Sequence, residues 1–373
     1  MTIESKSVAF FPWVALAGPI VLGSSIRLLP YQVGVMPGDL PNAKQADIDL
    51  ILSAYSNRPN VGVKAATLLE VDDWHTGDSD ENAKARLFRA RIAIGFAALA
   101  QRRLFQQFDY CGYDSFSLAV QRYHVGGNGL FSFGTRRRDG GTNHMWGADE
   151  YAFQRPSHVD SRAPCKFDQA LAQVLFELPE SDSALFEALR EFNTANTDSP
   201  DVPEHVEIVM VKSAFEWLLH IDQNAMSFVR ALESLLPAPD SAAIESGPLE
   251  EAWRTRFPNA PRPLNAWAQE FCDIRGAAAH GKDRKAPRFI WKAHTHLAFV
   301  SVLFPLLVKK QLADSGHWTM TAFDVAKLRR IDSYLMYDPF THDRLASEDS
   351  NPWSELDMQV LFAVNAHKFY GTP

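Results

Sequence analysis

Cysteine is scarce: Cys111, Cys165 and Cys272 are the three in 373 residues, far apart and without CxxC or Cys/His spacing. That excludes a zinc finger or a disulfide framework and reads as a chain of a reducing compartment. An excess of positive charge is also missing. Lys plus Arg number 37 against 45 Asp plus Glu, a formal net charge of -8, so blanket attraction to a nucleic-acid backbone is excluded and any such contact must be a local patch. Long hydrophobic runs are lacking as well. Val8 to Gly23 has no basic leader and is broken by Pro12 and Pro19, and Leu297 to Val308 falls short of the roughly 20 residues that span a bilayer. Both are expected in buried core, with no membrane partner and a cytoplasmic location. Internal repeats and low-complexity tracts are absent.

The chain does have the means to fold, with 46% hydrophobic and 22% charged residues. Its length predicts two or three units, and the expected class is α+β. The organisation expected is a mixed α+β domain over residues 1–160, an all-α bundle over 161–317 and a helical carboxy-terminal extension over 318–373. In the first part, Val8 to Tyr31 reads as short strands broken by Pro12, Gly18-Pro19 and Gly23, and Ser117 to Phe133 as a hairpin around Gly126 to Gly129. Helices are expected at Ala46 to Tyr55 and Glu81 to Phe108. From Phe167 onward helices alone are expected: Phe167 to Leu178, Ser183 to Ala195, Pro203 to Leu236 interrupted at Asp222-Gln223-Asn224, Pro248 to Arg256, Leu264 to His280, and Lys292 to Ala313. Amphipathic helices follow at Phe323 to Tyr337 and Glu355 to Tyr370.

The segment most suggestive of chemistry is Phe271-Cys272-Asp273-Ile274-Arg275-Gly276-Ala277-Ala278-Ala279-His280-Gly281-Lys282. An Arg, four residues, then a His is not specific as a spacing, since Arg137 or Arg138 with His144 and Arg288 with His294 nearly repeat it. Context separates them: only Arg275 and His280 have an apolar helix before them and Gly directly after. This segment resembles the end of the third helix of the Apea-like HEPN family of ribonucleases. Val206 to Leu219, with Ala214, Glu216 and Leu218, is similar to that family's early apolar helix, and Lys292 to Ala313 to its closing helix. The resemblance spans about residues 165–316 and departs from the family at Gly276, where many members carry a polar residue.

What the resemblance implies is a metal-independent endoribonuclease with no cofactor, of a class serving in antiphage defence or as toxins. A homodimer through the helix bearing Arg275 and His280 is then expected, with an antitoxin or a phage-derived trigger as further partners. Residue types agree with such chemistry. His280 is suited to exchange a proton with the attacking 2′-hydroxyl or the leaving 5′-oxygen. The planar guanidinium of Arg275 suits the charge that builds on phosphorus oxygens, and the products would be a 2′,3′-cyclic phosphate and a 5′-hydroxyl. Lys282, Arg284, Lys285 and Arg288 form a local basic run able to hold the RNA backbone. Glu216, in an apolar helix, is either a structural ion-pair partner or support for the active site. Five residues along a helix are about 140° and 7.5 Å, so Arg275 and His280 do not share a face. Either Gly281 lets the last turn unwind, or a second protomer completes the site across a two-fold axis.

The competing readings are a non-catalytic HEPN module that binds RNA or a partner protein, and a helical interaction protein in which the motif is accidental. In these, Arg275 pairs on the helix surface with Asp273 or Glu270, and His280 interacts with the helix dipole. His294 and His296 are two apart and do not chelate one ion from a regular helix. The acidic residues Asp72, Asp73, Asp78, Asp80 and Glu81 read as a solvated loop that starts a helix.

Overall fold

The apolar run that begins at Val8 alternates between two faces of a strand, β1 (Ser5–Phe11): Val8 and Phe10 enter one buried cluster, while Phe11 meets Phe116 edge-on at 5.9 Å. The structure is a computed structural model that describes residues 5–35, 42–71, 81–102, 104, 110–124, 131–136, 138–139, 142–146, 152–156, 159, 165–179, 182–237, 247–280, 289–340 and 353. Contacts divide the chain into two units, Met1–Ala98 with Cys111–Leu178, and Leu99–Tyr110 with Pro179–Pro373. The first is a mixed α/β region and the second is predominantly α-helical.

The first unit contains β1, β2 (Ile20–Leu22), β3 (Ile26–Gln32), α1 (Asn42–Ser53), β4 (Tyr55–Arg58), β5 (Val61–Gly62), β6 (Ala65–Val71), most of α2 (Glu81–Gln101), β7 (Ala119–His124), β8 (Phe131–Arg136), β9 (Thr142–Trp146), β10 (Phe153–Gln154) and α3 (Gln169–Glu177). Seven strands form one antiparallel sheet in the order β2-β3-β6-β1-β7-β8-β9, and β10-β4-β5 form a second. Ile48, Ile51 and Leu52 of α1 pack with Phe10, Tyr31 and Leu68 on one face of the large sheet. The expected strands near the amino terminus and the β7–β8 hairpin are present; the glycines between β7 and β8 lie outside the described residues. Strands β6 and β9 add to what the sequence pattern suggests, and α2 ends at Gln101 rather than Phe108. At the β2–β3 turn Gly23 has φ +58°, and a Cβ there would sit 3.0 Å from the Phe176 ring, so α3 packs tightly on a turn that needs glycine.

The second unit contains α4 (Ser183–Ala195), α5 (Glu204–Leu219), α6 (Ala225–Leu235), α7 (Glu250–Arg256), α8 (Pro263–His280), α9 (Ala293–Asp314), α10 (Ala322–Arg329) and α11 (Ile331–Tyr334). Helix α5 is central and packs on α4, α8 and α9. Its Phe215 ring meets Phe228, Phe271 and Phe304 within 5.1–6.2 Å, which ties four helices through one side chain. The interruption expected at Asp222-Gln223-Asn224 is a real turn: His220 closes α5 at φ 51° and Asn224 caps α6 through the Met226 N–H. Helix α9 is long and apolar enough to cross a bilayer by length and composition, yet 67% of its most apolar window is buried inside the protein. The helix expected at Phe323 to Tyr337 is split into α10 and α11, and the one at Glu355 to Tyr370 lies outside the described residues.

Candidate functional site

Helix α8 carries the candidate residues, and its two ends differ. Pro263 occupies the first helical position, where its missing N–H costs nothing, and the next N–H, that of Leu264, donates to Asp332 Oδ1 at 2.9 Å. Arg262 pairs with the same carboxylate at 2.7 Å. Two turns on, Glu270 is fully buried and accepts the backbone N–H groups of Ile290 and Trp291 at 3.0 and 2.9 Å, with Arg256 Nε at 3.5 Å. Its fourth neighbour is His296 Nε2, at 3.5 Å. Burial pushes the His296 imidazole toward its neutral form, against the pull of Glu270.

Beyond Glu270 the helix enters different surroundings. Arg275 is half-buried; its Nη1 donates to Gln223 Oε1 in the α5–α6 turn at 3.3 Å, and its Nε is buried without a hydrogen-bond partner. Among the described residues it has no carboxylate partner, so the surface pairing with Asp273 or Glu270 considered from sequence is not what forms. Glu216 accepts from Lys212 Nζ at 2.9 Å, one turn earlier on α5, where Lys212 is 1% exposed and lies over the Phe228 ring. Of the two roles open to Glu216, the ion pair is therefore present. Between these charges sits Cys272, whose thiol burial pushes up to about 11; Lys212 and Arg275 pull it down, and Asp273 and Glu216 push it up. Glu216 and Arg275 thus act on one atom without bonding to each other. A thiol so protonated is no nucleophile.

Helix α8 remains regular through His280, its last residue. Unwinding of the final turn is not adopted, and within one chain the two positions stay about 140° apart. The His280 side chain, Lys282, Arg284, Lys285 and Arg288 lie outside the described residues, as do Asp72 to Asp80 and Arg137. No group of three or more His, Cys, Asp or Glu side chains with metal-binding placement occurs among the described residues. Lys212 and Gln223 were missed from sequence. Lys212 carries a readable signal, a basic residue four before Glu216 in the same helix; Gln223 carries none. No protein-family model matches the chain, and comparison with curated proteins and with solved structures finds no match either.

Proposed function

We propose that the chain is a metal-independent endoribonuclease of the HEPN type, with Arg275 and His280 as its catalytic residues. The observation that supports this most is the state of Arg275. Arg262, Arg256, Lys212 and Lys309 each lie within 4 Å of a carboxylate inside the helical unit. Arg275 has a single bond to a neutral amide and a buried, unbonded Nε. A half-buried guanidinium without a counter-charge is poised for an anion, and a phosphodiester passing through a five-coordinate transition state is one.

In this reading His280 takes the proton of the 2′-hydroxyl or gives one to the departing 5′-oxygen, and Arg275 stabilises the charge between them. Lys212 neutralises Glu216, which leaves Arg275 uncompensated; Glu216 is a positioning residue. The basic residues Lys282, Arg284, Lys285 and Arg288 hold the strand. Because α8 keeps the two positions on different faces, the active unit is a homodimer in which each chain supplies one of the pair, with Gly276, Ala277 and Ala278 allowing close approach. A Cβ on Gly276 would meet nothing within 4 Å. The α/β unit is the part proposed to sense a trigger in a defence or toxin system.

The experiment is to incubate the full chain with a mixed RNA and identify the ends produced. Cleavage that leaves 2′,3′-cyclic phosphate and 5′-hydroxyl ends, undiminished by EDTA, is the expected result; 5′-phosphate ends or loss of activity to chelator would overturn it. One observation favours a second reading, a non-catalytic module that binds RNA or a partner protein: a single chain does not bring Arg275 and His280 onto one face. Tight RNA binding by a monomer without cleavage would decide for it.

A further inference from the structure

The helical unit contains a cavity of about 300 Å³ lined by neither Arg275 nor Glu216, which places it outside the proposed ribonuclease site. Its polar wall is made by Asp198, Glu204 and Glu207 together with Arg102 and His294. Three carboxylates therefore face one permanent cation. Arg102, 3% exposed, is spent on neighbours: its Nη2 donates to Asn196 Oδ1 at 2.6 Å and to Ser301 Oγ at 2.8 Å, and Nη1 lies 4.0 Å from Asp198 Oδ2. Asp198 also accepts from the Tyr110 hydroxyl at 2.9 Å and is held at φ 54°, a left-handed conformation uncommon for a residue with a side chain. Glu204 has His294 Nδ1 at 4.0 Å.

Glu207 has neither an ion pair nor a side-chain hydrogen bond among the described residues, although it is half-buried. Tyr110, Asn196 and Ser301 also line it, with side chains bonded to Asp198 or Arg102, and the rest of the wall is apolar, including Val211, Leu297, Val300 and Phe340. A chamber of this size, greasy on one side and carrying an uncompensated carboxylate on the other, is complementary to an ammonium group on an apolar body. We propose that this cavity binds a small organic cation, an amine whose ammonium pairs with Glu207 and Glu204 while its apolar part lies against Phe340, Leu297 and Val211.

Burial, with repulsion from Asp198 and Glu204, pushes the Glu207 carboxyl up to about 7 against a weaker opposing pull from Arg102. An arriving ammonium favours the ionised form, so binding releases a proton and strengthens as pH rises through 7. The groups that face Glu207 are Glu204 on its own helix, Asp198 and Arg102 from the flanking segments, and His294 of α9.

The test is titration calorimetry and thermal unfolding of the full chain with phenethylammonium, cyclohexylammonium and n-hexylammonium at pH 8 and pH 6, beside the neutral 2-phenylethanol and the anionic phenylacetate. At least one amine should bind at pH 8, about tenfold more weakly at pH 6 as Glu207 becomes protonated, while the alcohol and the anion do not bind. Glu207→Gln should keep the fold, lower amine affinity at pH 8 by about tenfold or more, and flatten the pH dependence. Binding of the alcohol as tight as that of the amine, an unchanged Glu207→Gln variant, or no binding by any of the three amines at millimolar concentration would overturn the proposal. None of these readouts involves RNA cleavage, so the outcome is separate from that of the ribonuclease reading.

Discussion

At its amino-terminal end α8 is anchored by charge meeting charge. Asp332 takes the Leu264 N–H and the Arg262 guanidinium, and two turns on Glu270 takes two backbone donors with Arg256 and His296 beside it. At the carboxy-terminal end Arg275 has one 3.3 Å bond to Gln223 and a buried Nε with no acceptor. The same helix thus uses its first polar residues to hold the fold and leaves a later one unspent. Buried charges that are satisfied carry structure, and removing one partner strands the others. A cation left without its acid has its interaction energy available for a ligand.

The largest effect expected from breaking this contrast lies at the satisfied end. Glu270→Ala should lower unfolding free energy by about 3–5 kcal/mol, because a buried and a half-buried backbone N–H lose their acceptor and Arg256 loses its buried charge partner. Chemical denaturation checks this, and a loss under about 1 kcal/mol would mean that Glu270 is no anchor. The pH dependence of stability comes next. His296 has a folded pKa depressed by burial below its unfolded value near 6.5, so its contribution is whole above pH 6.5 and lost as pH falls, by up to about 1.4 kcal/mol per pH unit. His296→Gln should flatten that acid limb in unfolding curves recorded between pH 7 and pH 5; an unchanged slope would show that the imidazole is charged in the fold.

Smaller effects are expected at the unspent end. Arg275→Ala should change stability by less than about 1 kcal/mol, since only one bond to a neutral amide is lost. A larger loss would make Arg275 a structural residue and erase the contrast. Ala278→Arg should leave the monomer folded but weaken self-association in sedimentation, because a long charged side chain blocks close helix approach. A dimer of unchanged affinity would place any interface elsewhere.

Much of the helical unit was readable from apolar stripes and polar breaks: Ser183 to Ala195 forms α4 with the expected bounds, and the break between α5 and α6 falls at the expected polar tripeptide, whose Asn224 caps α6. Strand β6 was not readable. Ala66 to Leu69 are buried in succession, a pattern of a strand covered on both faces that lacks alternation and resembles a short buried helix. Composition changes near residue 160, yet α3 follows that point and packs on β2, so local character did not mark the compact units. The segment Leu99–Tyr110 joins the second unit through Arg102, whose partners Asn196 and Ser301 lie far along the chain. A chain cut at residue 160 would strip those partners of their guanidinium.

The candidate site divides in the same way. Arg275 and Glu216 stood out by residue type within one helix each, whereas Gln223 reaches Arg275 across 52 residues and no spacing rule foretells it. The cavity is less legible still, being assembled from three segments near residues 102–110, 195–211 and 294–301 plus Phe340. Long-range assembly by packing leaves no local periodicity to read.

The most direct measurement of the central claim is the RNA cleavage rate of the full chain beside Arg275→Ala, Arg275→Lys and His280→Ala, with stability recorded on the same samples. The account predicts that each substitution lowers cleavage by about a hundredfold or more, Lys included because a point charge does not replace a planar fork, while all three unfold within about 1 kcal/mol of the parent. Cleavage that persists at the parent rate in His280→Ala or Arg275→Ala would contradict it.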